Sequence, residues 1–436
     1  MADLTAEPPA LQRSLRLWQV TVSGIGIVIG AGIYVLIGEG AREAGAGVWL
    51  SFAVAAILSA LTAMSYCELT AMFPSAGVEY EWSKRAFNPF AGFLAGWMMS
   101  IAYVIAAAAV SLGFAQYLRH FVDVDVRVAS VALLGVLTLV VMAGIQRSIW
   151  LSVVLAVLQI GGLAMVVVAG APHIGDRPVL EGATITGVMS GAALVFFAFI
   201  GFDDIATLSE ETHDASSVIP RALLLTLAIS TALYMLVGLS AISVIDAGVL
   251  AASDRPLTLV IEHDWGSRAS DIVAFIALAS TTNTTLLVIT AASRLLYAMA
   301  RADALPRFLS HVGSNGRAPY AAALAAFVVA AAFALRGDIG LVAAVTDFSV
   351  YCTFLAVNLS VIALRFRAPE TPRPFSSPFS LARVPILPVL GIASVLSMIG
   401  FLQPGALVLG AGALVVGAAV FTTLRALDPA SNRSGA

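Results

Sequence analysis

From Leu17 to Leu424 the chain is a succession of apolar runs, each close to the ~20 residues that cross a ~30 Å hydrocarbon core. Short polar intervals rich in glycine, proline and arginine separate them. A run such as Leu151 to Ala169 is apolar at nearly every position, so no face is kept for water. A membrane β-barrel would instead alternate apolar and polar residues over ~10-residue strands. The pattern predicts about twelve helical spans, near 17–38, 46–72, 87–117, 126–144, 148–170, 184–210, 218–246, 268–301, 318–336, 340–366, 385–402 and 405–425. The expected fold class is an all-α membrane protein.

Two of these spans are interrupted. Gly30-Ala31-Gly32 breaks the first, and Ile200-Gly201-Phe202-Asp203 breaks the sixth at a matching depth. Five spans later the chain runs the opposite way, so residues 17–170 and 184–366 read as a 5+5 inverted repeat with a broken helix opening each half. The tail 1–16 precedes them. Arg367 to Pro385, with Pro369, Pro372, Pro374 and Pro378, reads as a stiff connection to a C-terminal helix pair at 385–425. A helix broken at bilayer depth leaves N–H and C=O groups that survive only against protein or a polar ligand. The second half of the first span would start near Gly32-Ile33-Tyr34 with free N–H groups and a positive dipole end, suited to a carboxylate. The outer half of the sixth would end near Phe199-Ile200 with free carbonyls, suited to an ammonium group. Together they match the head of an α-amino acid. A plainer reading of Gly24, Gly26, Gly30 and Gly32 is close helix packing by small residues.

Composition narrows the classes further. With 60% hydrophobic and 11% charged residues, the chain cannot fold in water without a large apolar surface. Lys84 is the only lysine, and His120, His173, His213, His263 and His311 all fall in predicted loops. Cys67 and Cys352 lie in apolar runs as small hydrophobes, so neither a disulfide framework nor a metal site is expected, and no cofactor is implied. No small-residue cleavage site follows the first run, so no removable signal peptide is expected. With the N-terminus in the cytoplasm, sixteen of the 23 basic residues, among them Arg13, Arg147, Arg317 and Arg433, fall on the cytoplasmic side, which places both termini there. Arginine over lysine and abundant alanine suggest a GC-rich genome and a bacterial inner (plasma) membrane. No repeated acidic or carbonyl stripe marks a channel, no nucleophile–base pair or HExxH marks an enzyme, and no GxxxxGK[ST] marks a self-contained ATP-driven pump. Nothing points to nucleic acid.

The blocks GIGIVIGAGIYVLIGEGAREAG from Gly24, SYCELTAMFPSAGVEYEWSKRAF from Ser65 and GWMMSIAY from Gly96 resemble the amino acid, polyamine and organocation (APC) transporter superfamily, its cationic amino acid transporter branch in particular. FFAFIGFDDIATLSEE at 196–211, Ile219-Pro220-Arg221 and SRLLYAMARADALP at 293–306 agree, so the resemblance spans 17–366. It implies a secondary active transporter, a permease working as symporter or antiporter by alternating access to a central amino acid site. Polyamines or other organocations are the alternative cargo, and a sensor of the same fold without transport is the alternative function. By the family pattern Gly30, Ala31, Gly32 and Ile33 hold the carboxylate, while Phe199, Ile200 and Gly201 take the amine.

Other polar groups have two readings each. Asp203 and Asp204 follow the second break: Asp203 is expected mainly as a helix cap, and otherwise either residue selects cationic substrate or carries a proton. Glu39 stands as a loop charge or a family acidic position. Glu68, Glu210 and Glu211 are set to pair with loop arginines across a gate. Tyr103, Phe199 and Phe202 are gate candidates. The band Ser280-Thr281-Thr282-Asn283-Thr284-Thr285 either bonds back to its own helix or faces the first break as an ion site. Where many superfamily members that resemble this chain carry a lysine in the fifth span, Gln159 stands here; an amide does not titrate, and it is expected to reach the first break near Gly26 and steady it, the plainer reading being that it only packs and hydrogen-bonds between helices with coupling lost. That leaves sodium or protons, the latter through a carboxylate, or uncoupled exchange, with membrane lipid as the surrounding partner.

Overall fold

The computed structural model describes residues 15–73, 78–144, 149–312 and 319–427. Arg13, Arg147, Arg317, Arg433 and the side chain of Glu210 lie outside the described residues. Each predicted apolar run holds helix. The first divides into α1 (Leu17–Val28) and α2 (Gly32–Ala44), followed by α3 (Val48–Met72), α4 (Val78–Ala86), α5 (Pro89–Leu118), α6 (Val126–Met142) and α7 (Ile149–Gly170). The sixth gives α8 (Ile185–Val195), a 3-10 turn Phe196–Phe199 and the short α9 (Asp204–Thr207). Then come α10 (Ala215–Val244), α11 (Ala247–Ala252), α12 (Pro256–Trp265), α13 (Ser267–Arg301), α14 (Tyr320–Ala334), α15 (Ile339–Arg367), α16 (Ile386–Phe401) and α17 (Pro404–Leu427).

Among the described residues eight helical stretches are long and apolar enough to cross a membrane, and four apolar helices of 10–17 residues accompany them. The protein is a multi-pass helical membrane protein. Its helices begin where a polar residue precedes an apolar run: Asn88 caps α5 ahead of Pro89, Asp125 caps α6, Thr184 caps α8 and Asp338 caps α15, each accepting first-turn N–H groups. α5 lies at the centre, packed along α13 and α15, while α3 packs on α10 and α2 on α8.

Three short helices occupy intervals read as loops. α4 is too polar for a span but carries Glu79 and Glu81 in its first turn and Lys84 and Arg85 in its last, which suits the helix dipole. α11 and α12 fill the interval after α10, and His263 therefore sits in a helix. The proline-rich connection forms no helix; Ser380–Leu381 pairs antiparallel with Val384–Pro385.

Candidate functional site

The two interruptions lie against each other. Past Val28 the chain leaves the helix through Ile29, Gly30 and Ala31 and re-enters it at Gly32. In the partner segment Gly201 has φ +106°, a conformation that side chains with a Cβ rarely adopt, and this turns the chain between the 3-10 turn and α9. A Cβ on Gly201 would lie 2.7 Å from Ile27 Cγ2, and one on Gly32 would lie 2.5 Å from Ala198 Cα. Tyr234 of α10 fastens the pair: its hydroxyl stands 2.7 Å from the Val28 carbonyl and 3.0 Å from the Ala198 carbonyl, one from each broken helix. The Phe199 ring meets Tyr234 edge-on at 5.2 Å, and Ala31, Ile33, Phe199 and Phe202 are fully buried. Ile200 is only partly buried.

Gly32 thus serves close packing of α2 on Ala198. Gly32→Leu should drive α2 away from Ala198, costing about 1–3 kcal/mol by overpacking and removing substrate binding together with some stability. Melting temperature and uptake measured on one preparation check this; an unchanged melting temperature would show that the contact does not hold.

Asp203 does not cap α9. Its backbone is already helical (φ −63°, ψ −33°), and no side-chain cap bond forms. Its Oδ1 instead accepts the Gly201 N–H at 3.1 Å, while Oδ2 is buried without a partner. The carboxylate holds the turn on its own N-terminal side rather than the helix beyond. Asp203→Asn keeps an oxygen to accept the Gly201 N–H, so the turn should hold at a cost of no more than about 1 kcal/mol. Uptake of neutral amino acids should persist in this variant; competition between neutral and cationic amino acids checks it, and selective loss of the cationic ones would assign Asp203 to charge selection.

Asp204 accepts the Tyr103 hydroxyl at 2.6 Å, which ties α5 to the start of α9. Phe202 packs against Tyr66 and Phe354 at 5.8 and 5.4 Å, inside an aromatic cluster joining α3 and α15. Tyr66 also donates to Glu79 of α4 at 3.0 Å. Burial holds the Glu79 carboxyl above the usual carboxylate range, with Asp204 adding to the effect.

The hydroxyl band divides. Thr281 and Thr285 bond back to Ala277 and Thr281 carbonyls, as the local reading has it. Thr284 faces the break: its Oγ1 accepts the Ala31 N–H at 3.2 Å, and a Cβ on Gly30 would come within 2.7 Å of it. Ser280 Oγ is buried and unpaired, Asn283 is buried and Thr282 is partly buried. The expectation for Gln159 needs correcting. Its side chain is buried, but neither amide atom has a hydrogen-bond partner; its backbone carbonyl accepts the Tyr34 hydroxyl at 2.7 Å. Gly26 faces Ala156, one turn earlier on α7, so α1 and α7 meet through small residues and not through the amide.

Charged groups gather at the helix ends. Glu68 of α3 is 1% exposed and takes a two-pronged contact from Arg365 of α15, 3.0 and 2.6 Å, with Arg373 Nε at 3.5 Å and the Ser377 N–H at 2.8 Å. The proline-rich connection is therefore stapled to the ends of α3 and α15; Glu68 pairs with one loop arginine, Arg373, and more closely with the helical Arg365. Glu211 offers its carbonyl to the Leu15 N–H at 3.0 Å. Glu39 pairs with Arg42 at 2.7 Å, and Arg42 reaches the Ala251 carbonyl of α11. Nothing in the sequence marks the contacts made by Tyr234, by the Tyr34 hydroxyl or by Glu79. Asp347 alone left a readable mark, a carboxylate within an apolar run.

The fold and the site define a multi-pass helical membrane protein with two interrupted helices set against each other. Comparison with known proteins makes the class specific: the amino acid permease family model matches residues 15–423, and the chain belongs to that family, within the APC superfamily. It is 30% identical over 419 residues to the branched-chain amino acid permease BcaP of Bacillus subtilis, covering 91% of this chain and 89% of that one. It is 27% identical to the methylthioribose transporter of the same organism, over 87% and 86% of the two chains. To the vacuolar cationic amino acid transporter 2 of Arabidopsis thaliana it is 30% identical, over 84% of this chain and 62% of that one.

Proposed function

We propose that the protein is a secondary active transporter that moves an amino acid across the cytoplasmic membrane by alternating access. The observation carrying this reading is the apposition of two interrupted helices in a permease-family chain, joined by the Tyr234 hydroxyl. The N–H groups at Gly32 and Ile33 receive the substrate carboxylate, and the carbonyls around Phe199 and Ile200 receive its ammonium group. Tyr103 and Phe199 close over the site, with Phe202 as the plug toward α3 and α15. Twelve apolar spans, the first made of α1 and α2, cross the bilayer as an inverted repeat, residues 17–170 and 184–366, followed by the pair at 385–425. Both termini face the cytoplasm of a bacterial cell. The relatives are named for different cargo, so the side chain carried is to be found by experiment. Proteoliposomes loaded with buffer and given a panel of labelled L-amino acids test the reading: saturable uptake of at least one supports it, and specific binding without any uptake would favour a sensor.

A further inference from the structure

Asp347 lies roughly two turns into α15 and is fully buried, at 0% exposure. Neither of its carboxylate oxygens has a hydrogen-bond partner, and among the described residues no other buried carboxylate leaves both oxygens unpaired. Residues seven before and four after it share its helix face. Gly340 there stands against the Glu39 carboxylate of α2, and Tyr351 donates to the Ala193 carbonyl of α8 at 3.0 Å. Asp347 is therefore on the side of α15 turned to the two interrupted helices.

Among the described residues no positive charge comes to it. On α5 the ionisable groups are Tyr103 and Tyr117, and their hydroxyls go to Asp204 and to the Tyr34 carbonyl. α8, α16, the strand Val384–Pro385 and the turn Phe196–Phe199 carry no ionisable side chain. Tyr66, Cys67 and Glu68 of α3 are engaged at the opposite end, with Glu79 of α4, the Pro220 carbonyl and Arg365. The other charges of α4 belong to that same end, where Arg367 meets the Ala86 carbonyl. Arg425 of α17 covers Phe421, and Glu39 is paired with Arg42. On α15 itself the nearest ionisable group is Tyr351. An ionised carboxylate enclosed this way would lack both donors and a counter-ion, at a cost of several kcal/mol. The neutral acid leaves one hydroxyl unpaired, a much smaller penalty. A fully enclosed side chain takes up nothing larger than a proton.

We propose that Asp347 is a proton-binding site, occupied in this sealed conformation and emptied in any conformation that admits water between α15 and the interrupted helices. Binding that differs between two conformations links the proton to the change. Within the transport reading above, on which this consequence rests, Asp347 supplies the proton coupling that the amide of Gln159 does not.

The full-length protein in liposomes at neutral pH tests the site by infrared spectroscopy. Subtracting the spectrum of Asp347→Asn from that of the wild type should leave the C=O band of a protonated carboxyl, shifted in D₂O, and Asp347→Glu should restore such a band. The same liposomes, given whichever member of the labelled L-amino acid panel the wild type takes up most strongly, should show accumulation driven by a pH gradient that falls at least about fivefold in Asp347→Asn, the low end of coupling between sites. Exchange of label without a gradient should continue in that variant, which also shows that it folds. Absence of the protonated band from both difference spectra overturns the proposal, and so does gradient-driven accumulation that Asp347→Asn leaves unchanged. A band in a wild type that takes up no member of the labelled L-amino acid panel supports the proton site and removes the transport reading instead.

Discussion

Glu68→Ala is expected to destabilise the protein by about 3–5 kcal/mol, the usual cost of deleting one partner from a buried ion pair. Arg365 is 9% exposed and Arg373 15% by side chain, so both guanidinium groups would be left enclosed with their charge uncompensated. The Ser377 N–H would lose its acceptor as well, freeing the connection that Glu68 holds to the ends of α3 and α15. Thermal unfolding of the detergent-purified variant, followed by tryptophan fluorescence, reads the effect as a marked fall in melting temperature. Arg42→Ala provides the contrast: Arg42 is 58% exposed, so loss of its pair with Glu39 should cost no more than about 1 kcal/mol. Equal small shifts for the two variants would mean that Glu68 is not the anchor described.

The second large effect belongs to Tyr234→Phe. The ring stays, with its contacts to Phe199 and to Phe52 at 5.5 Å, but the Val28 and Ala198 carbonyls lose their shared donor. Leaving buried carbonyls unpaired costs about 1–3 kcal/mol. Because these two carbonyls border the breaks, the loss should appear in substrate affinity, as a rise in KM of about tenfold for each 1.4 kcal/mol, in a protein that still inserts and folds. Initial uptake rates across substrate concentration measure it. An unchanged KM would show that the hydroxyl does not set the geometry of the breaks.

What the sequence disclosed and what it concealed follow from range. Span length is a local property, so the apolar runs and both interruptions are visible as run lengths and as the glycines at 30, 32 and 201. α4, α11 and α12 fall below that length or are too polar, so the apolar pattern does not mark them. Hydrogen-bond partners depend on how distant helices register. Nothing around Tyr234 in an apolar run announces that it joins two breaks, and nothing in the band 280–285 distinguishes Thr284, facing Ala31, from Thr281, bonded to its own helix. The capping expectation for Asp203 failed because position after a break does not fix backbone angles; the residue is already helical and its carboxylate turns back to Gly201. Gln159 lies in the expected fifth span, but with Gly26 packed on Ala156 its amide has no hydrogen-bond partner at the break.

The central claim is that paired helix breaks recognise both ends of an α-amino acid. It is tested most directly by competition in proteoliposomes, using the labelled amino acid that gives the strongest uptake. The account predicts that the unlabelled amino acid competes, while its methyl ester and its N-acetyl derivative, each lacking one charge of the zwitterion, compete weakly or not at all. Full competition by the methyl ester, or by a polyamine such as putrescine, would contradict it, because a site that needs only a cation has no use for the N–H groups at Gly32 and Ile33.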